Sequence, residues 1–329
     1  MGRFKRYNLI IFLILFTNFI CAQKITLIET CKTSDYEVSF FNIEYIDSCL
    51  YSIEFAQIGE LKNGKPTLIY FEGSGLTPSF IKDSTNEVFY TSFQSILSFS
   101  DSFNLIIPSK FGIPICTTLD YLNENYEYFE NQKLPESYLM NSTLENYTNI
   151  FNRMINSLSK KAKNKHFFVM GHSQGARIAL SLMTNKYIMS GIYMSADPLG
   201  RLASTIDEEF SRFENRNIEK CRFYLSLLNC SDCPVDSVFR NESIQSWKSF
   251  SKPSILLMND LSKPLLITYG DMDLSCPNCY IFDILPHFNK SITVKKYEGY
   301  DHNYFFKNEK KIELVYDEIK NWLLQQKSR

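Results

Sequence analysis

The chain has 329 residues, 44% of them hydrophobic and 22% charged, with only 12 Gly and 11 Pro. That composition supports a large buried core and excludes disorder over most of the length. Lys and Arg total 35 against 36 Asp and Glu, and the net charge of −1 provides no long-range field for phosphates, which excludes a nucleic acid partner.

At the N-terminus, Arg3, Lys5 and Arg6 precede an apolar run from Leu9 to Ile20, and Cys21-Ala22-Gln23 follows. This basic, apolar, small-residue order predicts a secretory signal over residues 1–22, cleaved after Ala22. A membrane anchor is the rival, but the run includes Thr17 and Asn18 and falls short of the roughly 20 apolar residues that span a bilayer. A lipid-modified Cys21 is disfavoured by Asn18-Phe19-Ile20, which are not the small residues a lipoprotein peptidase takes. The expectation is a secreted or periplasmic protein with no stable membrane span. Eight cysteines then remain, Cys31, Cys49, Cys116, Cys221, Cys230, Cys233, Cys276 and Cys279, and they read as a disulfide set. Zinc is the alternative for Cys230-x-x-Cys233 and Cys276-x-x-Cys279, although the two pairs lie too far apart for a zinc ribbon. Five Asn-x-Ser/Thr sequons begin at Asn141, Asn146, Asn229, Asn241 and Asn289.

No repeat or Pro/Gly-rich linker divides residues 23–329. Glu37 to Tyr45 and Leu50 to Ala56 predict an antiparallel edge hairpin. Pro66 to Phe71 and Phe103 to Pro108 predict buried strands, because apolar residues fill consecutive positions, and Asn86 to Phe99 between them predicts a helix. Ser142 to Lys163 carries Leu144, Tyr147, Ile150, Phe151, Met154, Ile155 and Leu158 at three- and four-residue steps, one apolar helix face. Strand His166 to Met170, the segment Gly171-His172-Ser173-Gln174-Gly175 and a helix ending near Asn185 follow. Tyr187 to Ser195, Pro264 to Tyr269 and Ser291 to Tyr297 are the remaining strands, and a helix capped by Asn308 runs to Gln326. Alternating strands and helices predict an α/β fold, a mostly parallel central sheet with helices on both faces.

Gly171-His172-Ser173-Gln174-Gly175 fits Gly-x-Ser-x-Gly between a strand and a helix. The tight turn forces the serine to positive φ and requires glycines on either side, so Ser173 projects its hydroxyl above the sheet at a helix start. A serine nucleophile needs a base, and the mature chain has four histidines. His166 lies in a predicted strand and is expected to be packed. His287 lies in a helix-like stretch and is expected to be structural. His172 adjoins Ser173 in a turn that points the two side chains apart. His302, in the loop after the last strand, is the choice for general base. The acid that orients it is expected after strand Pro264 to Tyr269, with Asp273 preferred to Asp271 and Asp301.

With Ser173, Asp273 and His302 in that order, the chain resembles the secreted α/β-hydrolase-fold serine hydrolases, of esterase, lipase or peptidase kind, from Pro66 to the C-terminus. The resemblance implies an acyl-enzyme on Ser173, with neither metal nor cofactor needed, acting on a small-molecule or acyl substrate. It implies an oxyanion hole from the backbone amides of Gln174 and of Ser74, or Gly75, in Glu72-Gly73-Ser74-Gly75-Leu76; many members have His-Gly where this chain has Glu72-Gly73. It also implies a cap inserted at about 201–261; its Phe210, Phe213, Phe223, Tyr224, Phe239, Trp247 and Phe250 would suit an acyl or aromatic substrate as a lining, but core packing of the cap itself explains most of them. A serine peptidase and a non-catalytic binding or adhesion module on the same fold are the alternatives.

Overall fold

The computed structural model describes residues 22–46, 50–212, 218–230, 234 and 237–327. The expected signal falls outside them save for Ala22, as do Cys49, Phe213 and Cys233. Nine strands form one sheet: β1 (Ala22–Lys32), β2 (Glu37–Ile46), β3 (Leu50–Ile58), β4 (Thr67–Phe71), β5 (Asn104–Pro108), β6 (Phe167–His172), β7 (Ile188–Met194), β8 (Leu265–Gly270) and β9 (Ile292–Tyr297). Their order in space is β1-β2-β3-β5-β4-β6-β7-β8-β9. The first three strands meander antiparallel onto β5, and all pairings from β5 to β9 are parallel. From β4 the chain steps outward to β5 and then returns past β4 to β6. The crevice at the carboxyl ends of β4 and β6 is therefore a topological switch point, where open α/β sheets bind ligands.

Strict alternation along the buried strands sends side chains to two separate cores. Ile69, Phe71, Ile106 and Val169 pack against helix α1 (Leu144–Lys161) through Tyr147, Phe151, Met154 and Leu158, and against helix α2 (Gln174–Ser181) through Ala176 and Ala179. Leu68, Tyr70, Leu105, Phe168 and Met170 pack on the opposite face. Their partners there are Val315, Tyr316 and Ile319 of the last helix, α6 (Ile312–Gln326), and the short 3-10 segment Gln94–Asp101. Each fully buried side chain of this kind contributes roughly 1.5–3 kcal/mol. Thr143 caps α1, its hydroxyl accepting from the Asn146 amide at 3.2 Å. Between β7 and β8 the chain forms helices α3 (Arg201–Arg212), α4 (Ile218–Asn229) and α5 (Ile244–Phe250).

Several expectations need correction. The segment expected as a helix from Asn86 to Phe99 holds a strand, Val88–Tyr90, paired with Phe80–Lys82, followed by the 3-10 segment. Asp83 nucleates the turn, its Oδ1 accepting from the amides of Thr85 and Glu87, and Asn86 takes φ 65°. The last helix begins at Ile312 and not at Asn308, which sits at φ 66° in a hairpin turn. Strand β1 pairs with β2 over most of its length although its alternation is half-exposed, and nothing in the sequence reading anticipated it. His166 is exposed where packing was expected, and His287 is also exposed.

The cysteines do not form one set. Cys276 and Cys279 are bonded to each other, and Cys230 is disulfide-bonded. Cys31, Cys116 and Cys221 are free thiols. Burial raises the Cys116 thiol to about 12, which makes it a poor nucleophile. Asn289 is spent structurally: its side-chain amide donates to the carbonyls of Met258, Asn259 and Leu261, so this sequon is not a free surface asparagine. No helix among the described residues is long and apolar enough to cross a membrane.

Candidate active site

Strand β6 runs directly into Ser173, which adopts φ 55° and ψ −122° and caps α2. Such a conformation costs on the order of 1–3 kcal/mol and persists only where packing dictates it. The flanking glycines permit it by contact. A Cβ on Gly171 would lie 2.1 Å from the Gly175 carbonyl oxygen, and one on Gly175 would lie 2.1 Å from that of Phe71. The Ser173 amide donates to Met194 O at 2.9 Å, fixing the turn to β7. Ser173 then opens on two neighbouring cavities at the carboxyl edge of the sheet.

His302 reaches the same place from the loop after β9 and lines both cavities with Ser173. Its Nδ1 lies 2.8 and 3.0 Å from the two carboxylate oxygens of Asp273, which follows β8 and is wholly buried. Nε2 has no hydrogen-bond partner among the described residues and is free to meet a hydroxyl. The Asp273 carboxylate is held in turn by the amides of Ser275 at 2.8 Å and Cys276 at 3.1 Å. The other two acids are otherwise engaged. Asp271 accepts from the Gly299 amide and pairs with Lys296, while Asp301 accepts from the amides of Asn303 and Phe305.

His172 is buried, on the wall of the second of these cavities. Its Nε2 lies 2.8 Å from the His302 carbonyl oxygen, and its ring packs against Phe93 and His302. Burial, reinforced by the His302 charge, drives its pKa down to about 3, so the ring stays neutral and donates through Nε2–H. It is a prop for the His302 backbone, a role the sequence reading missed. Its place beside the serine was visible, but not the burial that makes it a neutral donor.

The loop after β4 closes over the serine. Gly73 comes so near that a Cβ there would sit 3.3 Å from Ser173 Cβ. Ser74 and Gln174 both line the first cavity, and among the described residues neither backbone amide donates a hydrogen bond. Glu72 lines the second cavity: its Oε2 accepts from Ser79 Oγ at 2.8 Å, and Oε1 is buried without a hydrogen-bond partner among the described residues.

The first cavity, of about 210 Å³, is lined chiefly by polar groups, among them Arg177, Asp197, Arg201, Thr205 and Arg240. Trp247 and Phe250 contribute the aromatic wall, and Arg201 covers the Trp247 ring at 3.9 Å while pairing with Glu242. Most of the aromatic side chains counted in the insertion pack on one another instead. Phe239 meets Tyr224 at 5.6 Å and Trp247 at 5.0 Å. Core packing therefore accounts for Phe223, Tyr224 and Phe239, and among the described residues Trp247 and Phe250 are the two that reach the cavity.

No protein-family model and no curated protein sequence matches the chain. Solved structures do. Acetyl xylan esterase 1 from Thermoanaerobacterium sp. JW/SL YS485 superposes with a TM-score of 0.55 at 14% identity, over 93% of this chain and 88% of its own. An acetyl xylan esterase from Paenibacillus sp. R4 gives 0.55 at 11% identity, over 95% and 91%. The Pyrococcus horikoshii acylaminoacyl peptidase gives 0.53 at 11% identity, over 92% of this chain and 50% of its own. With the sheet order above, these likenesses establish the α/β-hydrolase fold.

Proposed function

We propose that the protein is a serine hydrolase that cleaves an ester or related acyl bond through an acyl-enzyme on Ser173. The observation that carries this reading is the Asp273–His302 contact at 2.8 Å beside a positive-φ serine, all at the switch point of the sheet. In this reading His302 Nε2 takes the Ser173 proton as Oγ attacks the acyl carbon. The carbonyl oxygen becomes an oxyanion facing the free amides of Ser74 and Gln174 and the amino end of α2. His302 then gives that proton to the departing oxygen, and a water repeats the sequence in reverse to free the acid. Asp273 holds Nδ1–H and balances the imidazolium without accepting the proton.

The insertion over 201–261 acts as a cap whose Arg and Ser/Thr side chains favour a polar substrate over a long alkyl chain. Residues 1–22 serve as an export signal, which suits the disulfide at Cys276 and Cys279. A fluorophosphonate probe and a short 4-nitrophenyl ester test the reaction together. The expected outcome is stoichiometric labelling and turnover by the wild-type chain and neither by Ser173→Ala. A folded wild-type protein that the probe cannot label would instead leave a binding module on a hydrolase fold.

A further inference from the structure

The second cavity, about 350 Å³, lies beyond Ser173 and His302 from the polar one and is bounded by the loops after β4 and β5. Three of its walls carry ionisable side chains that are already committed. Glu72 is bonded to Ser79, the neutral His172 ring to the His302 carbonyl, and the His302 ring to Asp273. The fourth is Lys110, two residues past the end of β5. Among the described residues its ammonium makes no hydrogen bond and no ion pair. The carboxylates that act on it, Glu72 and Glu242, do so only through their field, and burial outweighs them and lowers its pKa. Lys110 is only partly buried, on the wall of this cavity, and an unpartnered ammonium at such a place is a functional-site candidate.

We propose that Lys110 anchors an anion subsite, so that the part of the substrate filling this second cavity carries a carboxylate that becomes the counter-ion of the Lys110 ammonium. This rests on the serine-hydrolase reading and narrows its substrate class. Several features support it. The ammonium offers three N–H donors, and no acceptor among the described residues takes them. Neither oxygen of Glu72, which lines the same cavity, bonds the ammonium: Oε2 accepts from the buried Ser79 hydroxyl, and Oε1 is buried without a hydrogen-bond partner among the described residues. Thr77 and Ser92 line the same cavity and offer hydroxyls to a polar group, the Thr91 hydroxyl being spent on the carbonyls of Pro78 and Ser79, while Phe93 is the aromatic side chain there. A neutral His172 adds no repulsion to a bound carboxylate and no attraction that would make Lys110 redundant.

The test reads charge preference within one protein, so that absolute rates cancel. Two matched pairs of substrates place the charge on either side of the scissile bond: 4-nitrophenyl hydrogen adipate against 4-nitrophenyl adipamate, and 4-acetoxybenzoate against 4-acetoxybenzamide. In one pair the wild-type enzyme is expected to favour the carboxylate by about tenfold or more in kcat/KM, the effect of one charge-assisted hydrogen bond. Lys110→Met should abolish that preference and Lys110→Arg should retain most of it. Preference for the neutral member in both pairs, or a preference untouched by Lys110→Met, overturns the subsite. If Lys110→Met does not fold, adipate should still protect wild-type Ser173 from the fluorophosphonate where adipamide does not, and equal protection overturns the proposal. A wild-type chain that is never labelled defeats the serine reading alone. Calorimetric binding of adipate over adipamide then upholds the subsite, and equal binding overturns it.

Discussion

The carboxyl edge of the sheet and the insertion between β7 and β8 meet at one cavity, yet they are held by different forces. At the edge, Ser173 and Asp273 are fixed by backbone geometry and short hydrogen bonds: a positive-φ turn between two glycines, and a carboxylate held by two amides. The insertion packs a small core of Leu202, Tyr224, Leu227 and Ile244 and presents charged side chains to the cavity through ion pairs such as Arg201 with Glu242. The first arrangement suits chemistry that tolerates little displacement. The second suits recognition, because exchanging one paired side chain changes the lining without disturbing the turn that holds Ser173.

The comparison breaks first at the histidines and the acids. His302→Ala should lower kcat/KM by about three to four orders of magnitude, and Asp273→Asn should do nearly as much, because the ring loses its proton acceptor role in one and its tautomer in the other. His172→Ala, which only props the His302 backbone, should cost no more than about a hundredfold. Asp271→Asn, whose partners are the Gly299 amide and Lys296, should change activity only a few-fold. Steady-state kinetics on one short ester ranks all four, and an Asp271 variant weaker than the Asp273 variant would reverse the assignment of the acid.

Acid sharpens the contrast. The native pKa of His172, about 3, lies below the ordinary value of 6.5, so between those limits the unfolded chain binds a proton that the native protein refuses. The contribution is present above pH 6.5 and is lost as pH falls towards 3, by as much as about 4 kcal/mol. Melting temperature followed from pH 7 to pH 4 should fall less steeply for His172→Gln than for the wild type. Parallel slopes would mean that the ring is protonated in the native state.

The insertion is tested at Glu242, which is buried and accepts from Arg201 and from Ser246 Oγ at 3.0 Å. Glu242→Gln leaves the Arg201 guanidinium without its charge partner and should destabilise the protein by about 3 kcal/mol. Fluorophosphonate labelling of Ser173 should survive at temperatures where the fold does. Loss of labelling in a folded Glu242→Gln protein would show that the two regions are not separable.

What could be read from the sequence follows the same division. Ser173 was legible because its turn is local: two glycines and a serine between a strand and a helix leave few other conformations. His302 and Asp273 were legible because each follows a buried strand, and strands end where apolar runs end. Lys110 was not, since nothing within the segment Ser109-Lys110-Phe111 distinguishes it from a surface lysine until β5 is placed beside β4. The aromatic residues of the insertion left their roles open for the opposite reason. Their number was plain, but whether Tyr224 and Phe239 face a cavity or each other depends on helix packing that composition does not encode. The hairpin turn at Asp83 was overlooked because its signal lies in a side-chain bond to backbone amides and not in apolar periodicity.

The smallest effect separates stability from positioning within the edge itself. Cys276 and Cys279 are bonded with their Cα atoms 5.5 Å apart, and the bridge lies in the turn that begins at Asp273. The Cys276 amide donates to both the backbone and the side-chain oxygen of Asp273, and the Cys279 amide donates to the Cys276 carbonyl, so the bridge clamps two successive turns. Closing so short a loop stabilises the fold by only about 2 kcal/mol in the chain-entropy view. Both sulfurs are buried in the core beneath the site, so reducing agents will reach them slowly, and the double variant Cys276→Ala, Cys279→Ala is the cleaner probe. Melting should fall by a few degrees. If the bridge also aims the Asp273 carboxylate at Nδ1, kcat should drop by about tenfold with KM nearly unchanged, because the ring is misplaced only where the proton moves. An unchanged kcat alongside the lower melting temperature would show that the two turn hydrogen bonds hold Asp273 unaided and that the disulfide serves stability alone.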